Sequence, residues 1–151
     1  MQIISDSVEE SLKLGKAIAR KLKPGDIICL FGNLGSGKTV FTKGLAHGLG
    51  LKERDIISPS FVLLRQYPQA KIPLYHFDLY RLKGANDILA LGFDEYLYSE
   101  GATVIEWAER LKGFLPAEYL KIEILIKGEK KRAFKFSAIG KNYERFLLLI
   151  K

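Results

Sequence analysis

Eight consecutive residues, Gly32-Asn33-Leu34-Gly35-Ser36-Gly37-Lys38-Thr39, satisfy the pattern G-x-x-x-x-G-K-[ST]. Its chemistry is phosphate binding. Glycines let successive backbone N–H groups turn inward around an anion, and a helix starting at the end of the loop adds its partial positive charge. Gly32, Gly35 and Gly37 are the expected cradle, Lys38 the group that reaches the β- and γ-phosphates, and the Thr39 hydroxyl a Mg²⁺ ligand. Such a pattern arises by chance in about one chain in a hundred of this length, so the flanking sequence has to decide. Two carboxylates further along fit the same chemistry. Asp78 lies in the alternating run Leu74 to Tyr80, on the face shared with His76 and Tyr80, and Glu106 ends the short apolar run Ala102-Thr103-Val104-Ile105. An acid closing a strand beside the phosphate-loop strand follows Walker B logic, so Asp78 and Glu106 are candidates for holding Mg²⁺ and orienting the attacking water. Spacing does not separate their roles. His76 has no second histidine at metal spacing and reads as a structural hydrogen-bonder.

The elements that must position these groups are legible around them. Asp26-Ile27-Ile28-Cys29-Leu30-Phe31 is an apolar run of strand length immediately before the loop. Val40 to Leu49 continues it as a helix, with Phe41, Leu45 and Leu49 at helical spacing and Gly44 and Gly48 small enough for close packing on a sheet. Upstream, Ser7-Val8-Glu9-Glu10 fits a capping box and predicts a helix from Val8 to Leu22, ended by Pro24-Gly25. Downstream, Ile57-Ser58-Pro59-Ser60-Phe61 is a stiff hydroxyl-bearing loop leading to a strand from Val62 to Tyr67. It reads equally as a segment closing over the γ-phosphate and as a capped turn. Pro68 to Pro73 joins that strand to Leu74–Tyr80 as an antiparallel hairpin. Asn86 to Tyr98 predicts a helix interrupted near Gly92. Tyr119 to Ile126 and Arg132 to Ser137 form a second hairpin with a basic tip at Gly128-Glu129-Lys130-Lys131, and a last helix is expected from Lys141 to Ile150. Together these predict one domain over residues 1–151, an α/β fold of P-loop NTPase type with three α/β/α layers around a mixed parallel and antiparallel sheet.

Composition bounds the rest. Hydrophobic residues make up 48% and charged residues 27%, ordinary for a soluble globular protein. No apolar run is long enough to span a bilayer, and Met1 to Lys23 is too charged for a secretory signal, so a cytoplasmic protein is expected. The single Cys29 excludes an internal disulfide and reads as a buried structural thiol. Of the net charge of +7, the segment from Ala108 to Lys151 carries eleven Lys/Arg against five Glu. That basic third faces RNA, an acidic protein or only water.

The phosphate loop, Ser58-Pro59-Ser60-Phe61, His76-Phe77-Asp78-Leu79-Tyr80-Arg81-Leu82 and Glu106-Trp107, in this order, resemble the bacterial TsaE (formerly YjeE) family of tRNA threonylcarbamoyladenosine biosynthesis ATPases. The resemblance runs from Ser7 to Gly140. It implies an ATPase with weak intrinsic hydrolysis that uses ATP and Mg²⁺. It also implies action with TsaD and TsaB, and through them tRNA, in placing threonylcarbamoyl on adenosine 37 of tRNAs that read codons beginning with A, without performing the transfer. Carried onto this chain, Gly35 to Val40 bind phosphates and Thr39 ligates Mg²⁺. Glu106 is the acid near the metal, Asp78 a second acid for hydrolysis, and Trp107 sits by the nucleotide. Arg132 matches an arginine that approaches the nucleotide. Where the family usually has Thr this chain has Ser60, and Ala108 stands where many members have Pro. A small-molecule phosphotransferase and a nucleotide-gated binding module are the competing readings of the same loop. No arginine-rich lid and no N-K-x-D motif is present to favour a nucleotide kinase or a GTPase.

Overall fold

In a computed structural model that describes residues 1–57 and 63–148, both faces of one seven-stranded sheet are covered. The elements in chain order are β1 (Gln2–Ser5), α1 (Val8–Ala19), β2 (Ile27–Phe31), α2 (Lys38–Gly48), β3 (Leu64–Tyr67), β4 (Leu74–Asp78), α3 (Ala85–Ala90), α4 (Phe93–Tyr96), β5 (Ala102–Glu106), β6 (Tyr119–Ile126), β7 (Arg132–Ile139) and α5 (Glu144–Leu147). Single 3-10 turns precede β3 and α5, and a longer 3-10 segment, Ala108–Phe114, follows β5. The strand order is β1-β7-β6-β2-β5-β4-β3. β6, β2, β5 and β4 run parallel, and the antiparallel pairs β1/β7, β6/β7 and β3/β4 lie to either side. The expected three-layer mixed α/β fold is what forms.

β2 shows why its sequence is an unbroken apolar run. Ile28 and Leu30 face one layer, where they pack with Ile18, Phe41, Leu45 and Phe146 from the helices, while Ile27 and Cys29 face the other with Phe77, Phe93 and Leu111. A parallel strand buried on both sides has no polar face to alternate with. Cys29 is buried and free, and burial pushes its thiol pKa up, which keeps it inert at neutral pH. Among the described residues no helix is long and apolar enough to cross a membrane.

Several boundaries differ from the sequence reading. Gln2–Ser5 forms an unanticipated strand, paired antiparallel with β7 from Gln2 opposite Lys135 to Ser5 opposite Arg132. Four residues on an edge are too few to show a period. Ser7 caps α1 as expected, its hydroxyl accepting from Glu10 N–H at 3.1 Å, but the Glu10 carboxylate accepts from Asp6 N–H rather than from the cap residue. α1 ends at Ala19, because Lys21 and Leu22 N–H groups bond back only three residues in the turn before Pro24. β4 stops at Asp78 and Tyr80 lies in the following turn, so the three-residue polar face is cut to two. That face is not solvated, for His76 is 2% exposed beneath the helical layer. The helix expected across Gly92 does break there, into α3 and α4, with Gly92 at φ +61°. The last helix is a 3-10 turn, Lys141–Tyr143, followed by α5; its expected continuation to Ile150 lies partly outside the described residues. The Ser58-Pro59-Ser60-Phe61 loop and the start of its strand at Val62 also lie outside them.

One correction concerns how α2 is held. Gly44 and Gly48 do not pack on the sheet; they face α1. A Cβ on Gly44 would stand 2.4 Å from Leu12 O, one on Gly15 2.5 Å from Phe41 O, and one on Gly48 2.5 Å from the Ala19 Cβ. The two helices therefore touch backbone to backbone, and the sheet-facing stripe of α2 is supplied by Phe41, Leu45 and Ala46 instead.

Candidate functional site

The loop leaves β2 at Phe31 and enters α2 at Lys38, the strand–loop–helix order that its pattern requires. Gly32, Gly35 and Gly37 all hold positive φ, at +156°, +78° and +105°. A Cβ at Gly35 or Gly37 would meet nothing within 4 Å, so their glycines are required by backbone conformation and leave the loop's outer face open. At Gly32 a Cβ would lie 2.6 Å from the Ser36 hydroxyl and 2.7 Å from Ile124 O. The loop is thus pinned at its base against β6 and open at its crest. Phe41 N–H bonds to Gly37 O as the first helical turn, which leaves the N–H groups at the start of an eleven-residue helix for an anion.

Lys38 is buried, and its ammonium donates to the carbonyl oxygens of Gly32 and Asn33 and lies 3.8 Å from the centroid of the Trp107 ring. Burial lowers its pKa, opposed by the negative charge of Glu109, Glu106 and Asp78. Trp107 reaches that position because its backbone turns left-handed, at φ +58° and ψ +42°, directly after β5. Its ring also contacts Tyr80, with centroids 5.1 Å apart.

Across the sheet, β5 runs parallel to β2 and to β4, so Glu106 sits opposite Leu30 on one side and Asp78 on the other. The Thr39 hydroxyl donates to Glu106 Oε1 at 2.9 Å, and the other Glu106 oxygen pairs with His76 Nε2. Glu106 is 1% exposed, with both oxygens engaged. Asp78 is half-buried; its Oδ1 accepts from Tyr80 N–H at 3.0 Å. Burial raises its pKa, with Glu106 adding to the rise, while the Tyr80 bond, His76 and Lys38 oppose it. Thr39, Lys38, Asp78, Glu106 and Trp107 are therefore gathered at one end of the parallel strands, where open α/β sheets bind ligands.

Arg132 is placed differently. It projects from the start of β7 onto the back of the loop, its Nε donating to Ser36 O at 3.0 Å and its Nη2 to Gly35 O at 3.2 Å. It touches loop carbonyls, not the N–H side an anion would use. Two further residues belong to the site and were not singled out for it. His76 joins Glu106, and its Nδ1 is buried without a partner among the described residues. Its position two residues before Asp78 on the same strand face was the available signal. Glu109 Oε2 accepts from Gly32 N–H at 3.3 Å, and nothing in its local sequence marks it.

The donor set suits Mg²⁺. One hydroxyl and two carboxylates are hard oxygen ligands, and Mg²⁺ takes one or two such groups together with phosphate oxygens and water instead of a complete protein cage. Among the described residues no group of three or more His, Cys, Asp or Glu is placed to hold a metal ion.

Residues 5–134 match the family model described as threonylcarbamoyl adenosine biosynthesis protein TsaE. The chain is 42% identical over 136 residues to the tRNA threonylcarbamoyladenosine biosynthesis protein TsaE of Bacillus subtilis, covering 90% of this chain and 84% of the relative. It is 39% identical over 132 residues to the protein of that name from Treponema pallidum, covering 87% and 96%. A crystal structure of YdiB from Bacillus subtilis superposes with a TM-score of 0.84 at 36% identity, over 98% of this chain and 91% of that one. A match of this length, carried through the helix that holds Thr39 and the strands that hold Asp78 and Glu106, makes the chain a member of the TsaE family of threonylcarbamoyl adenosine biosynthesis proteins.

Proposed function

We propose that the protein binds ATP with Mg²⁺ and hydrolyses it weakly. Its turnover conditions a TsaD–TsaB assembly that places threonylcarbamoyl on adenosine 37 of tRNAs reading codons that begin with A. It does not perform the transfer itself. The observation that carries the reading is the Thr39–Glu106 hydrogen bond, which joins the phosphate loop to the acid at the end of the neighbouring parallel strand. The helix N-terminus and the crest glycines receive the phosphates, and Lys38 neutralises charge on the γ-phosphate as it leaves the loop carbonyls. Thr39 and Glu106, with Asp78 beside them, would hold Mg²⁺, which supplies charge neutralisation across the phosphates.

The two acids divide the work by their surroundings. Glu106, fixed at both oxygens by Thr39 and His76, is suited to the metal side. Asp78, half-buried and with a raised pKa, is suited to orient water and accept its proton. Water attacks the γ-phosphorus, the bond to the β–γ bridging oxygen breaks, and ADP and inorganic phosphate leave. Trp107 covers Lys38, its ring centroid 3.8 Å from the ammonium, and limits the entry of other water.

Single-turnover hydrolysis by Glu106→Gln and Asp78→Asn tests the assignment. Both variants are expected to bind ATP within a few-fold of the unmodified protein and to lose about a hundredfold or more in rate, the scale of a positioned acid or base. Unchanged rates in both overturn the hydrolytic role. Co-purification of TsaD and TsaB that requires ATP and is lost in Lys38→Ala is the expected result for assembly, and capture independent of ATP refutes it.

A further inference from the structure

The Arg132 guanidinium is shared between two places. On one side it holds the loop carbonyls of Ser36 and Gly35; on the other its Nη1 donates to Gly128 O at 2.9 Å, Lys131 O at 3.0 Å and Glu129 O at 3.4 Å. The second set is the turn between β6 and β7, which is exposed and carries Lys127, Lys130 and Lys131. A guanidinium is rigid and planar, so its donors cannot move independently. A peptide unit is planar too, and a carbonyl held in one direction sends the following N–H in the opposite one. Fixing Ser36 O therefore fixes the direction of the Gly37 N–H, at a glycine with φ +105° and no Cβ to restrain it. The Ser36 N–H is itself tied to Asn33 O at 3.0 Å, so the Arg132 contacts complete the restraint on the crest.

We infer that Arg132 is a positioning residue that couples the basic β6–β7 turn to the phosphate loop, so that the conformation of the turn sets how the loop presents its N–H groups. This rests on the phosphate-binding reading above, but the coupling itself is a property of the chain alone. It also reassigns the arginine. Its fork is spent on backbone oxygens, and it acts on a nucleotide through the loop without touching it.

Three variants test the coupling: Arg132→Ala, Arg132→Lys, and replacement of residues 127–131 by Asn-Gly, which leaves Arg132 and shortens the turn to two residues. Hydrogen exchange of residues 32–40 is followed without nucleotide, and Mg-ATP affinity and the saturated single-turnover rate are measured beside it. Arg132→Lys keeps the charge and loses the fork. It is expected to behave like Arg132→Ala, with faster exchange confined to the loop and about tenfold weaker ATP binding, which is about 1.4 kcal/mol and only a fraction of two charge-assisted hydrogen bonds, because those bonds order the loop and do not touch ATP. The saturated rate should stay within about twofold of the unmodified protein, a split that general destabilisation does not produce. The shortened turn should also speed loop exchange. Restoration of ATP affinity by Arg132→Lys, unchanged loop exchange in both arginine variants, or a loop indifferent to the shortened turn each overturns the inference. Failure of the unmodified protein to bind ATP would instead refute the phosphate-binding reading, and the exchange measurement would still decide the coupling.

Discussion

Replacing Gly44 with alanine separates two opposing effects whose sizes follow from the structure. In an exposed helix interior the change favours folding by about 1 kcal/mol, because glycine has more backbone freedom to lose. Gly44 is buried against α1, and the new methyl would stand 2.4 Å from Leu12 O and 3.1 Å from both Leu12 C and Gly15 Cα. Ordinary carbon contacts begin near 3.5 Å, so the helices must part by about 1 Å. The obstructing atoms are backbone, which has no rotamer to change. Overpacking of this kind costs about 3 kcal/mol at the upper end of its range, leaving a net loss of about 2 kcal/mol. For a domain of this size that lowers Tm by about 4–8 °C. The functional effect should exceed the thermal one, because α2 carries Lys38 and Thr39 at its first turn and its displacement is passed to the Thr39–Glu106 contact. A shift of about 1 Å in groups that must meet a reacting phosphate costs roughly a hundredfold in rate. Differential scanning calorimetry and single-turnover hydrolysis read the two effects, with Gly113→Ala, where a Cβ meets nothing within 4 Å, as the control. A Gly44→Ala protein with unchanged or raised Tm would refute the claim that α1 and α2 are in backbone contact.

Trp107 is the single tryptophan, and its ring faces the Lys38 ammonium, so its emission should change when Mg-ATP draws Lys38 toward phosphate. In Lys38→Ala the nucleotide response should vanish, and its persistence would place the ring's sensitivity elsewhere. Tyr143 accepts from Ile27 N–H at 2.8 Å, and burial first, then neighbouring Asp26, pushes its pKa up to about 12 from the ordinary tyrosine value of 10.0. A raised pKa means that the folded state holds its proton longer, so this stability is fully present below pH 10 and is lost as pH rises toward 12. Tyr143→Phe should be less stable at pH 7 by about 1 kcal/mol, for the unpaired Ile27 N–H, yet lose less stability between pH 10 and 12 in urea titrations. An alkaline loss equal to that of the unmodified protein would show that Tyr143 does not titrate there.

The parts of this molecule that could be read in advance are those whose physics is local. The loop, its flanking strand and helix, the Gly92 break and the two hairpins each follow from periodicity or turn chemistry within about a dozen residues. The convergence of Thr39 and Glu106 was legible too, from the loop pattern and the acid that ends the neighbouring strand; what escaped reading is the register, Leu30 opposite Glu106, that makes it a direct hydrogen bond across 67 positions. His76 reads from the sequence as a structural hydrogen-bonder and is one, but nothing local names its partner, the buried Glu106 thirty positions on. Gly44 and Gly48 were correctly small, but a glycine carries no record of which neighbour comes close. Arg132 matched a family position, while its actual partners, five backbone carbonyls, have no side-chain signature at all.

The pairing of β1 with β7 has a kinetic consequence. The bond between the Met1 amine and Phe136 O closes a loop of 135 positions, and for a free chain that closure costs about 4 kcal/mol of entropy beyond a constant. Docking of α1 on α2 removes most of that cost, because it carries β1 to the sheet edge on the short joint Asp6-Ser7. The first strand of the chain therefore joins the sheet only once the glycine contact has formed at one end and β7 is in place at the other. Until then β7 is an open strand edge, the stage at which this protein is most exposed to pairing with another copy.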